Sequence, residues 1–173
     1  MKTHAFPIQF AKEAILREQF STAIEVLKPL SQNKANPEAQ FLHAYLHFWD
    51  DDLKRLDAIQ QLETLSENGH AEANYILAIC PDLEAGYQFT LPKNPKQLDY
   101  LQRAVELGSI YALTDLVECH LTGIIENGDL YALRQQLLKT FEAMPSRKKY
   151  PKMNFFLGKI LIEGIGGDVE IEK

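Results

Sequence analysis

Gly108-Ser-Ile-Tyr-Ala112-Leu-Thr-Asp-Leu116-Val-Glu-Cys-His-Leu-Thr-Gly123 is the stretch on which the fold turns. Ala112, Leu116, Val117 and His120 fall on one side of a helix, and a glycine bounds the segment at each end. Three further segments align with its Ala112-Leu-Thr-Asp-Leu-Val117 core. They are Ala39-Gln-Phe-Leu-His-Ala44, Ala73-Asn-Tyr-Ile-Leu-Ala78 and Met153-Asn-Phe-Phe-Leu-Gly158. The four starts lie 34, 39 and 41 residues apart. Gly69 and Gly108 precede a start by four places, Gly123 and Gly164 follow one by eleven, and Phe41, Tyr75 and Phe155 share the third place. Repetition at this period marks a repeat architecture.

Second helices lie between the aligned segments. Leu53 to Glu67 carries Leu53, Leu56, Ile59, Leu62 and Leu65 at a spacing of three, with Asp51 or Asp52 to cap it and Asn68-Gly69 to end it. Lys96 to Leu107 and Asp129 to Met144 follow the same logic, the latter stopping before Pro145. Ile8 to Glu18 and Ser21 to Leu30 form a leading pair. Pro81 is expected to end the helix of Ile76 and Ile79, and 81–95 reads as a loop with Tyr87, Phe89 and Leu91 either tucked against the body or gripping a partner. The expectation is one continuous all-α domain over 1–173. It comprises a leading pair (1–35), repeats at 36–69, 70–108 and 109–149, and a partial last repeat (150–173), wound as a right-handed α/α solenoid of about four helix pairs.

Composition supports this class. Leucine and alanine total 40 of 173 residues, whereas valine and threonine total 11. Eighteen basic against 24 acidic residues give a formal charge of −6, which disfavours nucleic acid and anionic membranes and favours a basic partner. No apolar run approaches the roughly 20 residues of a membrane span, and Met1 to Pro7 lacks the apolar core of a signal peptide. Two cysteines form no disulfide framework, so the expected location is the reducing cytoplasm.

The pattern of glycine, alanine four residues on, leucine four beyond that, a small residue, then glycine before an acidic turn resembles the Sel-one-like repeat, a relative of the tetratricopeptide repeat. Phe155 to Asp168 matches best and Gly108 to Gly123 second; the segment at Ala39 departs, with His43 in place of leucine and Asp50 in place of glycine. The resemblance spans roughly residues 36 to 173. It implies an α/α solenoid used as a protein-binding scaffold, without catalytic residues.

Candidate chemistry is sparse. His43 and His47 lie four apart on one helix face, but without an intervening glutamate or a four-ligand set the expectation is a core histidine and no metal. Cys80 and Cys119 occupy equivalent places on neighbouring helices, too far apart to bond, and are expected to be free thiols. Cys119-His120 fails as a dyad because adjacent helical residues diverge. Gly164-Ile-Gly-Gly167 follows a helix instead of a strand and lacks the lysine of a phosphate loop, so it reads as a turn. Arg147-Lys-Lys149 with Lys152 reads as a solvated basic loop. No cofactor is expected, and the chain does not read as an enzyme.

Counting 100° per residue, places 0, 4, 5 and 8 of each aligned helix centre on one side and places 3, 6 and 10 on the other. The latter hold Leu42, Tyr45 and Trp49, then Ile76, Ile79 and Leu83, then Asp115, Glu118 and Thr122. These are the expected partner-binding residues on a concave face, an apolar stripe grading into acid; the competing reading is that first helices in such solenoids are sandwiched, which makes some of these side chains core. Two functions compete: an adaptor that binds another protein, and a dedicated inhibitor or immunity protein that neutralises a basic toxin or effector. The last helix, with Phe155, Phe156, Leu157, Ile160 and Leu161, is expected to lack cover, through truncation or self-association.

Overall fold

The computed structural model describes residues 5–33, 35–50, 52–80, 90–144 and 150–167, and among these every regular element is an α-helix. The helices are α1 (Ala5–Leu16), α2 (Phe20–Ser31), α3 (Pro37–Asp50), α4 (Asp52–Glu67), α5 (Ala71–Ile79), α6 (Pro95–Glu106), α7 (Ile110–Leu121), α8 (Leu130–Ala143) and α9 (Pro151–Glu163). They gather into two compact units, Met1–Leu77 and Ala78–Lys173.

Local signals set the boundaries. Asn94, Ser109 and Asp129 cap α6, α7 and α8 by accepting the backbone N–H groups of Gln97, Ala112 and Ala132. The repeat glycines end helices. Gly69, Gly108, Gly123 and Gly164 all have positive φ, between 67° and 92°. The residue after each returns its N–H to a carbonyl of the last turn: His70 to Leu65, Ser109 to Ala104, Ile124 to Cys119 and Ile165 to Ile160. Only glycine adopts that conformation without strain. The helix α5 stops at Ile79, just before Pro81; Pro81, Leu83, Tyr87, Phe89, Asp51, Arg147, Lys148 and Lys149 lie outside the described residues.

In the first unit, α1 packs on α2, α2 on α3 and α3 on α4. Alanines mark the close approaches: Ala11, Ala14, Ala23, Ala39, Ala44, Ala58 and Ala73 are all buried. Arg55 is buried too, and its Nε donates to the Phe48 carbonyl in the last turn of α3 (3.0 Å), a cation placed at the negative end of a helix. The buried face of α4 comprises Arg55, Ala58, Leu62, Leu65 and Ser66. Leu56, counted in the spacing-of-three stripe, points to solvent at 57% exposure. A step of three rotates a helix by 300°, so such a stripe drifts away from any single face.

In the second unit α7 is the hub, touched by α6, α8 and α9. Ala112, Leu113, Thr114, Asp115, Leu116, Val117 and Cys119 are accordingly buried. The turn after α9 is fixed against α8: a β-carbon on Gly166 would overlap the Leu130 carbonyl, and one on Gly167 would meet the buried Arg134 guanidinium. The glycine-rich segment is therefore a docked turn. On α9, Phe156, Leu157 and Ile160 are buried, while Phe155 and Ile162 remain exposed, so the expected uncovered apolar surface is found at only part of the helix.

Candidate functional site

A groove of about 780 Å³ lies between α2, α3 and α4 within the first unit. Helix α3 supplies its floor through Gln40, His43 and His47, spaced three and four apart so that they share a face. Ile24, Lys28 and Ser31 come from α2 and Gln32 from its C-cap; Lys54, Asp57, Ala58, Gln61, Thr64 and Leu65 come from α4. The lining is thus mixed: two ammonium groups, one carboxylate, several amides and a few aliphatic side chains.

The two histidines meet in this groove. Their Nε2 atoms are 3.2 Å apart, with ring centroids 4.4 Å apart and the planes nearly perpendicular. Burial, the neighbouring His47 and the Lys28 charge push His43 down to a pKa of about 4, so it is neutral at physiological pH. His43 Nδ1 is buried without a hydrogen-bond partner. The expectation of a core histidine is corrected, because His43 is half-buried and lines the groove. Among the described residues no three His, Cys, Asp or Glu side chains cluster to hold a metal.

A polar cluster braces the same unit. Glu38 on α3 pairs with Lys12 of α1 (2.7 Å) and faces His70 Nε2 at 3.7 Å. His70 is also the cap of α5, its Nδ1 accepting the Ala73 N–H (3.3 Å), which directs Nε2 toward Glu38. The His70 ring stacks on Phe41 at 4.8 Å. Together His70 and Lys12 overcome burial and pull Glu38 down to a pKa of about 2.

The expected binding face comes apart in the structure. Place 3 is buried wherever it occurs: Leu42, Ile76, Asp115 and Phe156. Ile79 is buried as well. These four sequence-selected residues, Leu42, Ile76, Ile79 and Asp115, therefore belong to the packed interior and not to an open face. Tyr45 and Trp49 are half-buried in an aromatic run, with Trp49 edge-on to Phe48 at 4.8 Å and to Tyr45 at 6.3 Å. The acidic patch is occupied internally. Lys152 Nζ of α9 sits 2.7 Å from Asp115 Oδ1 and 2.6 Å from Glu118 Oε2. Burial alone would lower the Lys152 pKa, but hydrogen bonds to Asp115 and Glu118 and their charges raise it instead. Lys152 is thus an interhelical tie and not part of a solvated basic loop.

Both cysteines are free thiols, Cys119 buried and Cys80 half-buried. Burial and the nearby Asp115 and Glu118 push the Cys119 thiol up to about 11, which leaves it unreactive. Sequence reasoning missed the groove walls, Lys28, Lys54, Asp57 and Gln61, because they lie on helices outside the aligned segments. The spacing of Gln40, His43 and His47 was the available signal for its floor.

No family model, curated protein or solved structure matches the chain. The likeness to Sel-one-like repeats accordingly rests on the residues quoted above.

Proposed function

We propose that the chain is a non-catalytic protein-binding scaffold, a right-handed α/α solenoid of Sel-one-like helix pairs that acts as an adaptor in the cytoplasm. The observation that carries this reading is the α2–α3–α4 groove, with amide, ammonium and carboxylate groups beside a few aliphatic side chains. Such a lining offers hydrogen bonds to the backbone of an extended segment from another protein, and Lys28, Lys54 and Asp57 fix its direction by charge. The net charge of −6 adds long-range attraction for a basic partner. The alternating glycine caps and the buried repeat starts Ala39, Ala73, Ala112 and Met153 support the repeat reading.

A photo-crosslinking residue in place of exposed Gln61 tests the groove, with one in place of Gln9 on α1 as the control. The Gln61 probe should give one dominant protein adduct in cells, lost when Lys54→Glu and Asp57→Lys are introduced. Equal labelling from both positions would refute the groove as the binding surface.

A further inference from the structure

We propose that His43 and His47 form an open two-nitrogen site for a divalent transition-metal ion of the Zn²⁺, Ni²⁺ or Cu²⁺ class at the floor of the α2–α3–α4 groove. The first support is distance. Two metal–nitrogen bonds of about 2.0–2.1 Å meeting at a tetrahedral angle place the nitrogens roughly 3.3–3.4 Å apart. The two Nε2 atoms stand 3.2 Å apart already, so a slight rotation of the rings turns both lone pairs toward one ion. The second support is placement. A spacing of four on one helix sets the imidazoles one above the other, and the rigid α3 backbone holds them there.

The third support is room. Both rings line a groove of about 780 Å³, ample for the water molecules that complete the coordination shell. Imidazole nitrogens favour borderline metals over Mg²⁺ and Ca²⁺, which take oxygen ligands. Two features keep the affinity modest. Lys28 and Lys54 repel a cation, and the buried His43 Nδ1 has no acceptor to orient and strengthen the ring as a ligand. Binding is therefore expected in the micromolar range and not the nanomolar range of closed four-ligand sites.

The test is calorimetric titration of the full chain, free of any affinity tag, with Zn²⁺ and Ni²⁺. One ion per chain should bind, and Mg²⁺ and Ca²⁺ should not. His43→Leu and His47→Ala should each weaken binding about tenfold or more. His43→Leu should also fold, because the other three aligned helices carry leucine at that place (Leu77, Leu116 and Leu157). Electron paramagnetic resonance of the Cu²⁺ form provides an independent readout: splitting from two nitrogens in the parent, reduced in each variant. Absence of binding, or binding unaffected by either variant, would overturn the proposal and leave a simple histidine–histidine hydrogen bond.

Discussion

Replacing Lys152 by methionine removes the cation between Asp115 and Glu118 while keeping most of the side chain's length and apolar stem. Asp115 is 5% exposed, so the substitution takes a paired cation away from a carboxylate inside the second unit. Breaking a fully buried pair typically costs about 3–5 kcal/mol. Lys152 itself is about half exposed, so water screens part of the interaction. We therefore expect a loss of about 2 kcal/mol. For a unit of this size that corresponds to a fall in melting temperature of roughly 8–16 °C. Urea unfolding at neutral pH, with the slope checked for constancy, measures the change directly. Glu118→Gln should cost under about 1 kcal/mol, because Glu118 is more exposed and Asp115 keeps the lysine in place. Asp115→Asn combined with Lys152→Met should cost less than the two single changes added together, with a coupling of about 1 kcal/mol or more. A Lys152→Met chain within about 0.5 kcal/mol of the parent, or a cycle without coupling, would refute the view of this triad as a tie between α7 and α9.

Acid should weaken the first unit through Glu38. Its pKa is depressed in the folded chain, so the stabilisation is complete above the usual value of 4.5 and is lost as pH falls toward about 2. Glu38 is partly exposed, so the loss is about 1 kcal/mol, and Glu38→Gln should flatten the pH dependence of urea midpoints across that window. Glu18 closes α1 at φ 59°, returning Gln19 N–H to the Ala14 carbonyl in the position that glycine takes after four other helices. Glu18→Gly should thus stabilise by about 0.5 kcal/mol, the relief of left-handed strain exceeding the added freedom of the unfolded chain, and a lower urea midpoint would contradict it. Ellman's reagent at pH 8 should modify Cys80 well before Cys119, whose labelling should await denaturant; comparable rates would show that α7 is less firmly packed than the structure depicts.

Much of the fold was legible because the decisive signals are local. Gly69 and Gly108, which close α4 and α6, each act within one turn, and the helix boundaries followed within a few residues. The alignment also located the core correctly at its starts, since Ala39, Ala73, Ala112 and Met153 are all buried. What was not legible is how far round each helix the core extends. The aligned places 0, 4 and 5 mark one side, yet place 3 is buried in all four helices as well. A helix flanked on two sides, as α3 is by α2 and α4 and α7 is by α6, α8 and α9, buries an arc wider than half its circumference. An amphipathic count assumes one buried face and therefore assigns the opposite edge of that arc to solvent. Asp115 shows the consequence most sharply. Its charge marked it as surface, but it is buried and paired with Lys152, 37 residues away on another helix. Pairings of that kind depend on which helices become neighbours, and the same holds for the groove, whose floor is on α3 but whose walls come from α2 and α4. His43 departs from the leucine of the other aligned helices at the one place-4 position that opens into that groove, so the break in the repeat is where a binding function has room to arise.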